Sequence, residues 1–197
     1  MRILGISGSF RRDSHNTRLL RAAALALPPG VELELFDGLA ALPPYCEDAD
    51  ADPAPDAVAR LREQIAGADA LLIATPEYNG SIPGVLKNAI DWASRPFPDN
   101  ALRGKPVAVI GASTGLFGAV WAQAELRKVL QHTGADVLEQ ELPVGLAGEA
   151  FTPAGELADA ELQRRLVELL ERLGAGNVRR IDERVQRRDR SPAVRAV

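Results

Sequence analysis

Short apolar runs alternate with helix-like segments along most of this chain. This alternation is compatible with only a few fold classes. Strands are predicted at residues 3–6, 31–36, 70–75, 107–110 and 136–138, and helices at residues 16–27, 56–67, 84–93, 119–132 and 156–173. Strands separated by helices form a parallel sheet with helices on both faces, because crossover connections are right-handed. The sequence therefore predicts an α/β domain built on a doubly wound parallel sheet.

The character of each strand predicts its place in that sheet. Residues 70–75 and 107–110 are almost wholly apolar and belong at the centre, whereas residues 31–36 alternate Glu and Leu, as expected of an edge strand. Two strand orders are common in such folds, 2-1-3-4-5 and 3-2-1-4-5-6, and five strands favour the first. In that order the loops at residues 7–16, 75–84 and 111–118 meet at the carboxyl edge of the sheet.

Composition indicates a single globular domain, which we assign to residues 1–174. The chain has 197 residues, of which 46% are hydrophobic and 25% charged, which is enough for a substantial core. The one cysteine, Cys46, excludes a disulfide framework, and no apolar run approaches the roughly 20 residues of a membrane span. Since the chain opens directly on a strand-like run with no leader, we expect a cytoplasmic protein without a membrane partner.

Residues 175–197 are rich in arginine, although the formal net charge of the whole chain is −4. A basic end of this kind could contact nucleic acid or an acidic neighbour. We interpret it instead as a solvated, flexible tail and expect no nucleic-acid partner.

The loop after the first strand has the chemistry of a phosphate site. Ser9 and Ser14 offer hydroxyl groups, and Arg11 or Arg12 offers a positive charge. Asn16 or Thr17 then opens a helix, whose amino end favours an anion. The loop matches neither common nucleotide-binding glycine pattern, so an ordinary polar loop with a helix cap is the alternative.

The loop after the third strand is rigid, because Pro76 and Pro83 fix their backbone angles and Asn79-Gly80 favours a tight turn. Glu77, Tyr78 and Asn79 are therefore presented in a fixed geometry. Loops between strand and helix usually have two to six residues, so a longer one with an aromatic and two polar groups is a candidate for ligand contact.

The loop after the fourth strand contains Gly111, Ser113 and Gly115 in a Gly-x-Ser-x-Gly pattern between a strand and a helix, which is the setting of a hydrolase nucleophile. Such an enzyme needs a histidine downstream, and the one later histidine, His132, lies in the helix that follows directly. We therefore interpret the glycines as allowing the backbone to approach a flat ligand, with Ser113 and Thr114 as hydrogen-bonding groups.

Other chemistry has little support in the sequence. His15, His132 and Cys46 show no metal-ligand spacing, so we expect no metal site. Residues 37–55 form a long aperiodic segment rich in Pro, Ala and Asp, which we interpret as a surface excursion that serves as a lid or a partner contact.

Three blocks together resemble the NADPH-dependent FMN reductases, a flavodoxin-like family with chromate reductases, quinone reductases and azoreductases among its relatives. The blocks are Gly8-Ser-Phe-Arg11 with Ser14 and Asn16, the run from Pro76 to Trp92, and Ser113-Thr-Gly115 with Gly118 and Gln123. The resemblance implies that the first loop holds the FMN phosphate and that the other two loops border the ring and the ribityl chain. The implied cofactor-binding residues are Ser9, Arg11, Ser14, Asn16, Thr17, Pro76, Glu77, Tyr78, Asn79, Gly80, Ser113 and Gly115.

The resemblance also implies the activity. NADPH or NADH would reduce FMN at N5, and a small acceptor such as a quinone, an azo compound, free flavin or a metal oxyanion would then take the electrons. No residue of the chain would act as acid or base, and backbone N–H groups of residues 77–80 would stabilise the reduced ring. An electron-carrying flavodoxin and a serine hydrolase that uses Ser113 are the alternatives.

We also expect a homodimer or homotetramer, because residues 42–45, Ile82 and the helix at residues 84–92 offer apolar surface for a second subunit.

Overall fold

A computed structural model describes the backbone of residues 1–189 and the side chains of residues 1–175. Strands and helices alternate as predicted. The strands are β1 (Arg2–Ser7), β2 (Glu32–Phe36), β3 (Ala70–Thr75), β4 (Pro106–Ala112), β5 (Asp136–Val137) and β6 (Leu142–Val144). The helices are α1 (His15–Leu25), α2 (Asp56–Gly67), α3 (Gly84–Ala93), α4 (Val120–His132) and α5 (Ala160–Asp189).

The sheet has the order β2-β1-β3-β4-β5 with every pair parallel, which confirms the predicted 2-1-3-4-5 arrangement. The sheet has a sixth strand in addition to the five predicted, at the edge beside β4. There β5 pairs with the start of β4, and β6 pairs with its end. The chain leaves the sheet between them over the polar residues 139–141. Strand β6 contains Pro143, which an edge strand tolerates because its missing N–H has no strand to pair with.

Alternate side chains of the central strands enter two cores, one on each face of the sheet. Leu71 and Ile73 of β3 pack in the core beneath α2, α3 and α4. Ala70, Leu72 and Ala74 pack in the core beneath α1 and α5. Burial on both faces explains why residues 70–75 are almost entirely apolar.

The two end helices differ from the prediction in their bounds. Helix α1 starts at His15, because the Ser14 side chain accepts a hydrogen bond from the Thr17 amide and so acts as the N-cap. Helix α5 starts at Ala160 rather than at residue 156, because residues 151 and 157 form an isolated bridge first. It continues to Asp189. Most of the predicted flexible tail at 175–197 lies outside the described part, because the side chains are described only to residue 175 and the backbone only to residue 189.

The excursion at residues 37–55 folds back on helix α3 of its own chain. The Pro43 carbonyl accepts hydrogen bonds from Trp92 Nε1 at 2.8 Å and Asn88 Nδ2 at 2.9 Å. The Tyr45 ring meets the Trp92 ring edge-on, with centroids 4.9 Å apart. Leu42, Ile82 and Trp92 are all buried, so much of the apolar surface that suggested a second subunit is covered within one chain.

None of the helices in the described residues combines the length and the apolar character needed to cross a membrane. Among the described residues, no group of three or more His, Cys, Asp or Glu side chains is arranged to hold a metal ion.

Candidate ligand-binding site at the carboxyl edge of the sheet

The loops after β1, β3 and β4 enclose a pocket at the carboxyl edge of the sheet, which we call the three-loop pocket. Its volume is about 260 Å³. Ligands of open α/β sheets bind at such an edge, so the position alone makes it the candidate site. It is lined by Ser9, Arg11, Ser14, His15, Asn16, Pro76, Glu77, Tyr78, Ala112, Ser113 and Thr114.

The first wall of the pocket combines a cation with the amino end of helix α1. The exposed Arg11 guanidinium has no ion pair within the described residues. The amides of His15 and Asn16, in the first turn of the helix, have no acceptor in the part of the chain that the structure describes. Unpaired first-turn amides and a cation together favour an anion at this wall.

Asn16 has a structural role that the sequence did not predict. Its side chain is 3% exposed, its Nδ2 donates to the Ala112 carbonyl at 2.9 Å, and its Oδ1 accepts from the Ala112 amide at 2.9 Å. The amide group thus ties the start of α1 to the end of β4. A ligand in the pocket can use the backbone N–H of Asn16 and the second N–H of Nδ2, while the Oδ1 atom is occupied.

Thr17 does not line the pocket. Its hydroxyl lies 2.9 Å from the Ser7 hydroxyl, and its amide donates to Ser14 Oγ at 3.2 Å. Both interactions stabilise the start of α1. The structure therefore places this predicted ligand-binding residue behind the first wall, where it supports the loop.

The second wall is a tight turn, as the Asn-Gly dipeptide predicts. Tyr78 and Ser81 exchange backbone hydrogen bonds of 3.0 and 3.1 Å, and Asn79 and Gly80 between them have φ angles of 54° and 73°. Two successive positive φ angles are characteristic of a type I′ turn. The Tyr78 amide is thus already bonded, and of the donors predicted at residues 77–80 only those of Glu77, Asn79 and Gly80 lack an acceptor among the described residues.

The Glu77 carboxylate joins the second loop to the helix that follows the third. Its Oε2 accepts from the amides of Trp121 and Ala122, each at 3.1 Å. Helix α4 needs this partner because its N-cap, Ala119, has no side-chain acceptor. Glu77 is therefore the capping residue of α4, although it is far from α4 in sequence. Glu77 also lines the pocket, where its Oε2 is already occupied by these two bonds.

The third wall is fixed against strand β6. The Ser113 amide donates to the Val144 carbonyl at 3.0 Å, and the Ala147 amide donates to the Ser113 carbonyl at 3.0 Å. A Cβ atom at Gly118 would overlap the backbone of Val144, so this close approach requires glycine. The wall is therefore formed mainly by closely packed backbone.

The geometry of Ser113 does not form a hydrolase triad. Its Oγ accepts from the Gly115 amide at 3.1 Å, and no histidine bonds to it in the described part of the chain. His132 Nδ1 donates to the Lys128 carbonyl of its own helix. The serine of the Gly-x-Ser-x-Gly pattern thus stabilises its own loop.

His15 is a pocket residue that the sequence reasoning considered only as a metal ligand. The ring is partly buried, and its Nδ1 is buried without a hydrogen-bond partner. Burial, followed by the charges of Arg11 and Arg18, lowers the pKa of His15 below its usual 6.5. In the sequence, the position of His15 directly after the helix-capping Ser14 could have identified it as a pocket residue.

An apolar rim borders the pocket on the side of α4. Phe117 and Trp121 stack edge to face with ring centroids 5.2 Å apart, and they are 62% and 54% exposed. Leu116 and Tyr78 are also exposed, at 73% and 54%. We call these four residues the aromatic rim. Its link to the pocket is Glu77, which lines the pocket and bonds the Trp121 amide.

The structure brings eight of the predicted cofactor-binding residues together in one pocket. They are Ser9, Arg11, Ser14, Asn16, Pro76, Glu77, Tyr78 and Ser113. The other four, Thr17, Asn79, Gly80 and Gly115, do not line it. Their place in the same loops explains why motif reasoning included them.

Comparisons with known proteins agree on one family. Residues 1–149 match the family of NADPH-dependent FMN reductases. The chain is 47% identical to an NAD(P)H-dependent FMN reductase of Pseudomonas aeruginosa, over 88% of this chain and 93% of that one. It is 44% identical to a 2-hydroxy-1,4-benzoquinone reductase of a Burkholderia species, over 71% and 75% of the two chains.

A solved structure shows the same architecture. The flavoenzyme NAD(P)H:acceptor oxidoreductase of Paracoccus denitrificans superposes with a TM-score of 0.80 at 36% identity, covering 90% of this chain and 97% of the other. The flavodoxin-like fold implied by the sequence motifs is thereby confirmed.

Proposed function

This chain belongs to the NADPH-dependent FMN reductase family and is an NAD(P)H-dependent FMN oxidoreductase, and we propose that the three-loop pocket holds its FMN and that a quinone is its acceptor. One observation carries the site assignment. The Arg11 guanidinium and the amides of His15 and Asn16, none of them paired within the described residues, lie together on one wall, and the other two walls are rigid backbone.

The residues of the first wall fit a phosphate group. Arg11 supplies the charge, the amides of His15 and Asn16 supply donors, and the Ser9 hydroxyl lines the same space. Ser14 Oγ accepts from the Thr17 amide, which leaves its own O–H free to donate to a ligand. Charge-assisted hydrogen bonds from such a set are strong and geometrically specific.

The other two walls fit a flat ring. Pro76 is buried, and the β4 end at Ala112 is held by Asn16, so neither wall has to move when a ligand enters. Of the three second-loop amides without an acceptor in the described residues, that of Glu77 belongs to a residue that lines the pocket, and those of Asn79 and Gly80 lie in the adjacent turn. When bound, FMN supplies the redox chemistry by accepting a hydride from the nicotinamide and passing two electrons to an acceptor. The chain's own task is to position the ring and to exclude water.

A quinone suits the rim of the pocket better than a metal oxyanion does. The aromatic rim is apolar and exposed beside the pocket, and aromatic side chains stack well on a planar apolar molecule. Trp121 carries no charge that could attract an oxyanion. Relatives that are named quinone reductases, 37–38% identical over 78% of this chain, support the same acceptor class.

Arg11→Ala tests the site assignment. We expect FMN to bind at least about tenfold more weakly, because a charge-assisted bond to phosphate is lost, and riboflavin to bind nearly as before. Arg12→Ala is the matched control, since Arg12 lies next in sequence but does not line the pocket. Quenching of flavin fluorescence measures the affinities of the unmodified protein and both variants for FMN and for riboflavin. Equal losses for FMN and riboflavin in Arg11→Ala would remove the phosphate from this wall.

We also propose that the enzyme is a homodimer or homotetramer with the aromatic rim near a subunit boundary. The apolar surface that first suggested a partner is buried within the chain. Leu116, Phe117, Trp121 and Leu146 remain exposed, and clustered exposed apolar side chains favour association.

Light scattering at micromolar concentration tests the oligomeric state. We expect a mass at least twice that of one 21.1 kDa chain, and a shift toward 21.1 kDa when Trp121 is replaced by Glu. The reason is that burying a charge in an apolar interface costs free energy and so weakens association. Lys128→Glu, on the same helix, is the control for the change in charge alone. A fully active protein of 21.1 kDa would refute the proposal.

A cytoplasmic location is part of the proposal. It agrees with a chain whose one cysteine, Cys46, can form no internal disulfide. Fractionation of cells that produce the protein tests it, and recovery from the membrane or the medium would contradict it.

A further inference from the structure

The His15 ring lies within the proposed phosphate wall, yet none of the interactions described above uses it. The residue lines the three-loop pocket, and its backbone amide is one of the two unpaired donors at the start of α1. Its Nδ1 is buried and has no hydrogen-bond partner in the described part of the chain. A buried polar atom without a partner is uncommon and calls for an explanation, such as a bound ligand.

The surroundings of the ring are electropositive. Arg11, in the same loop, and Arg18, one turn along α1, both act on it. The other ionisable groups of the pocket are Glu77 and Tyr78, and the Glu77 carboxylate is already held by the amides of Trp121 and Ala122. The third wall, at residues 112–114, carries no ionisable group. Asp13, in the same loop, is exposed, and burial and the charges of the two arginines all lower the pKa of His15.

We propose that His15 is a protonatable ligand of the FMN phosphate, so that FMN binding takes up a proton at this residue. The inference rests on the proposed function, because it places the phosphate at the first wall. A phosphate dianion beside Arg11 and the ring, which both line the pocket, would compensate the positive charge there and favour the imidazolium form, which donates from both ring nitrogens.

The sign of the pH dependence follows by linkage. Without FMN, burial and the two arginines keep the pKa of His15 below 6.5, so the ring is neutral at pH 7. With FMN bound, the pKa of His15 rises. The contribution of His15 to FMN affinity is therefore fully present below the pKa that His15 has in the free enzyme, and it is lost as the pH increases through the pKa that His15 has in the complex. Each unit between the two pKa values corresponds to about a tenfold change in affinity.

The chain offers a direct measurement, because it has two histidines. Nuclear magnetic resonance of the ring Cε1–H groups gives both pKa values in the flavin-free protein, and His132→Gln identifies the remaining signal as that of His15. We expect the pKa of His15 to rise on addition of FMN and to stay unchanged on addition of riboflavin. His132, on the exposed end of α4, should respond to neither ligand.

The affinities give an independent test. The phosphate titrates itself near pH 6, so the informative quantity is the ratio of the FMN dissociation constants of His15→Gln and the unmodified protein. We expect this ratio to increase about tenfold or more from pH 8.5 to pH 5.5, while the same ratio for riboflavin stays flat. His132→Gln is the matched control and should give a flat ratio with both ligands.

The outcomes distinguish a failure of the proposed role of His15 from a failure of the proposed function. A pKa of His15 that does not move with FMN, or an FMN ratio independent of pH, would overturn the role of His15 while leaving the pocket assigned. Absence of FMN binding to the unmodified protein would instead contradict the proposed function. If His15→Gln were unstable, the resonance titration of the unmodified protein would still decide the question.

Discussion

Replacing Asn16 by Ala is expected to lower the free energy of unfolding by about 2–5 kcal/mol, because it leaves two buried backbone groups without a partner. Asn16 forms hydrogen bonds of 2.9 Å with both the amide and the carbonyl of Ala112, which is itself buried. A typical domain is stable by only about 5–15 kcal/mol, so a loss of this size is large. The change also frees the end of β4, which forms one side of the three-loop pocket. FMN affinity should therefore fall together with stability.

A second asparagine provides a matched control for this prediction. Asn100 is also buried, and it also bridges backbone groups, donating to the Thr133 carbonyl at 3.2 Å and accepting from the Leu102 amide at 3.0 Å. It does not line the three-loop pocket. Asn100→Ala should therefore lower stability to a similar extent and leave FMN affinity unchanged.

Chemical denaturation and flavin fluorescence, both under conditions where each variant is folded, measure the two effects. If Asn16→Ala kept its stability, or lost FMN affinity no more than Asn100→Ala does, the proposed link between β4 and the pocket would be wrong.

Periodicity and strand burial were sufficient to predict the sheet. Residues 70–75 are apolar on both faces because two helical layers cover them, and that pattern placed β3 at the centre. The edge was less predictable, because β5 and β6 have two and three residues and share one neighbour, β4. Segments this short carry almost no periodic signal, and their position depends on contacts made by α4, such as the bond from the Leu142 amide to Gln123 Oε1.

The loops of the site were predictable as a group, but the roles of individual side chains were not. Strand order alone brings the three loops to one edge. Whether a polar side chain faces a ligand or a backbone group depends on contacts between residues far apart in sequence. Asn16 bonds a residue 96 positions away, and Glu77 bonds amides 44 and 45 positions away. Both residues line the three-loop pocket, as predicted for cofactor-binding residues, but their backbone partners could not be foreseen from the sequence.

Part of the surface predicted for a second subunit is covered within the chain. The excursion at residues 37–55 packs on α3 through the hydrogen bonds to the Pro43 carbonyl, and Leu42 and Ile82 are both buried. Phe117 lies in the glycine-rich loop at residues 111–118 and Trp121 just after it, where the sequence pattern alone did not predict their exposure. Their exposure became evident only once Glu77 was seen to fix the start of α4.

The most direct test of the enzyme's activity is the visible absorbance of the purified protein under anaerobic conditions. We expect a flavin spectrum that bleaches completely on addition of NADPH or NADH and returns on addition of one equivalent of a p-benzoquinone. The reason is that hydride transfer and reoxidation are both carried by the bound flavin. Ser113→Ala should show the same cycle, because Ser113 Oγ only supports its own loop and one neutral hydrogen bond contributes about 1 kcal/mol. A flavin spectrum that neither nicotinamide changes would indicate an electron carrier. A colourless protein that binds no FMN, and whose Ser113 is labelled by a fluorophosphonate, would contradict the account altogether.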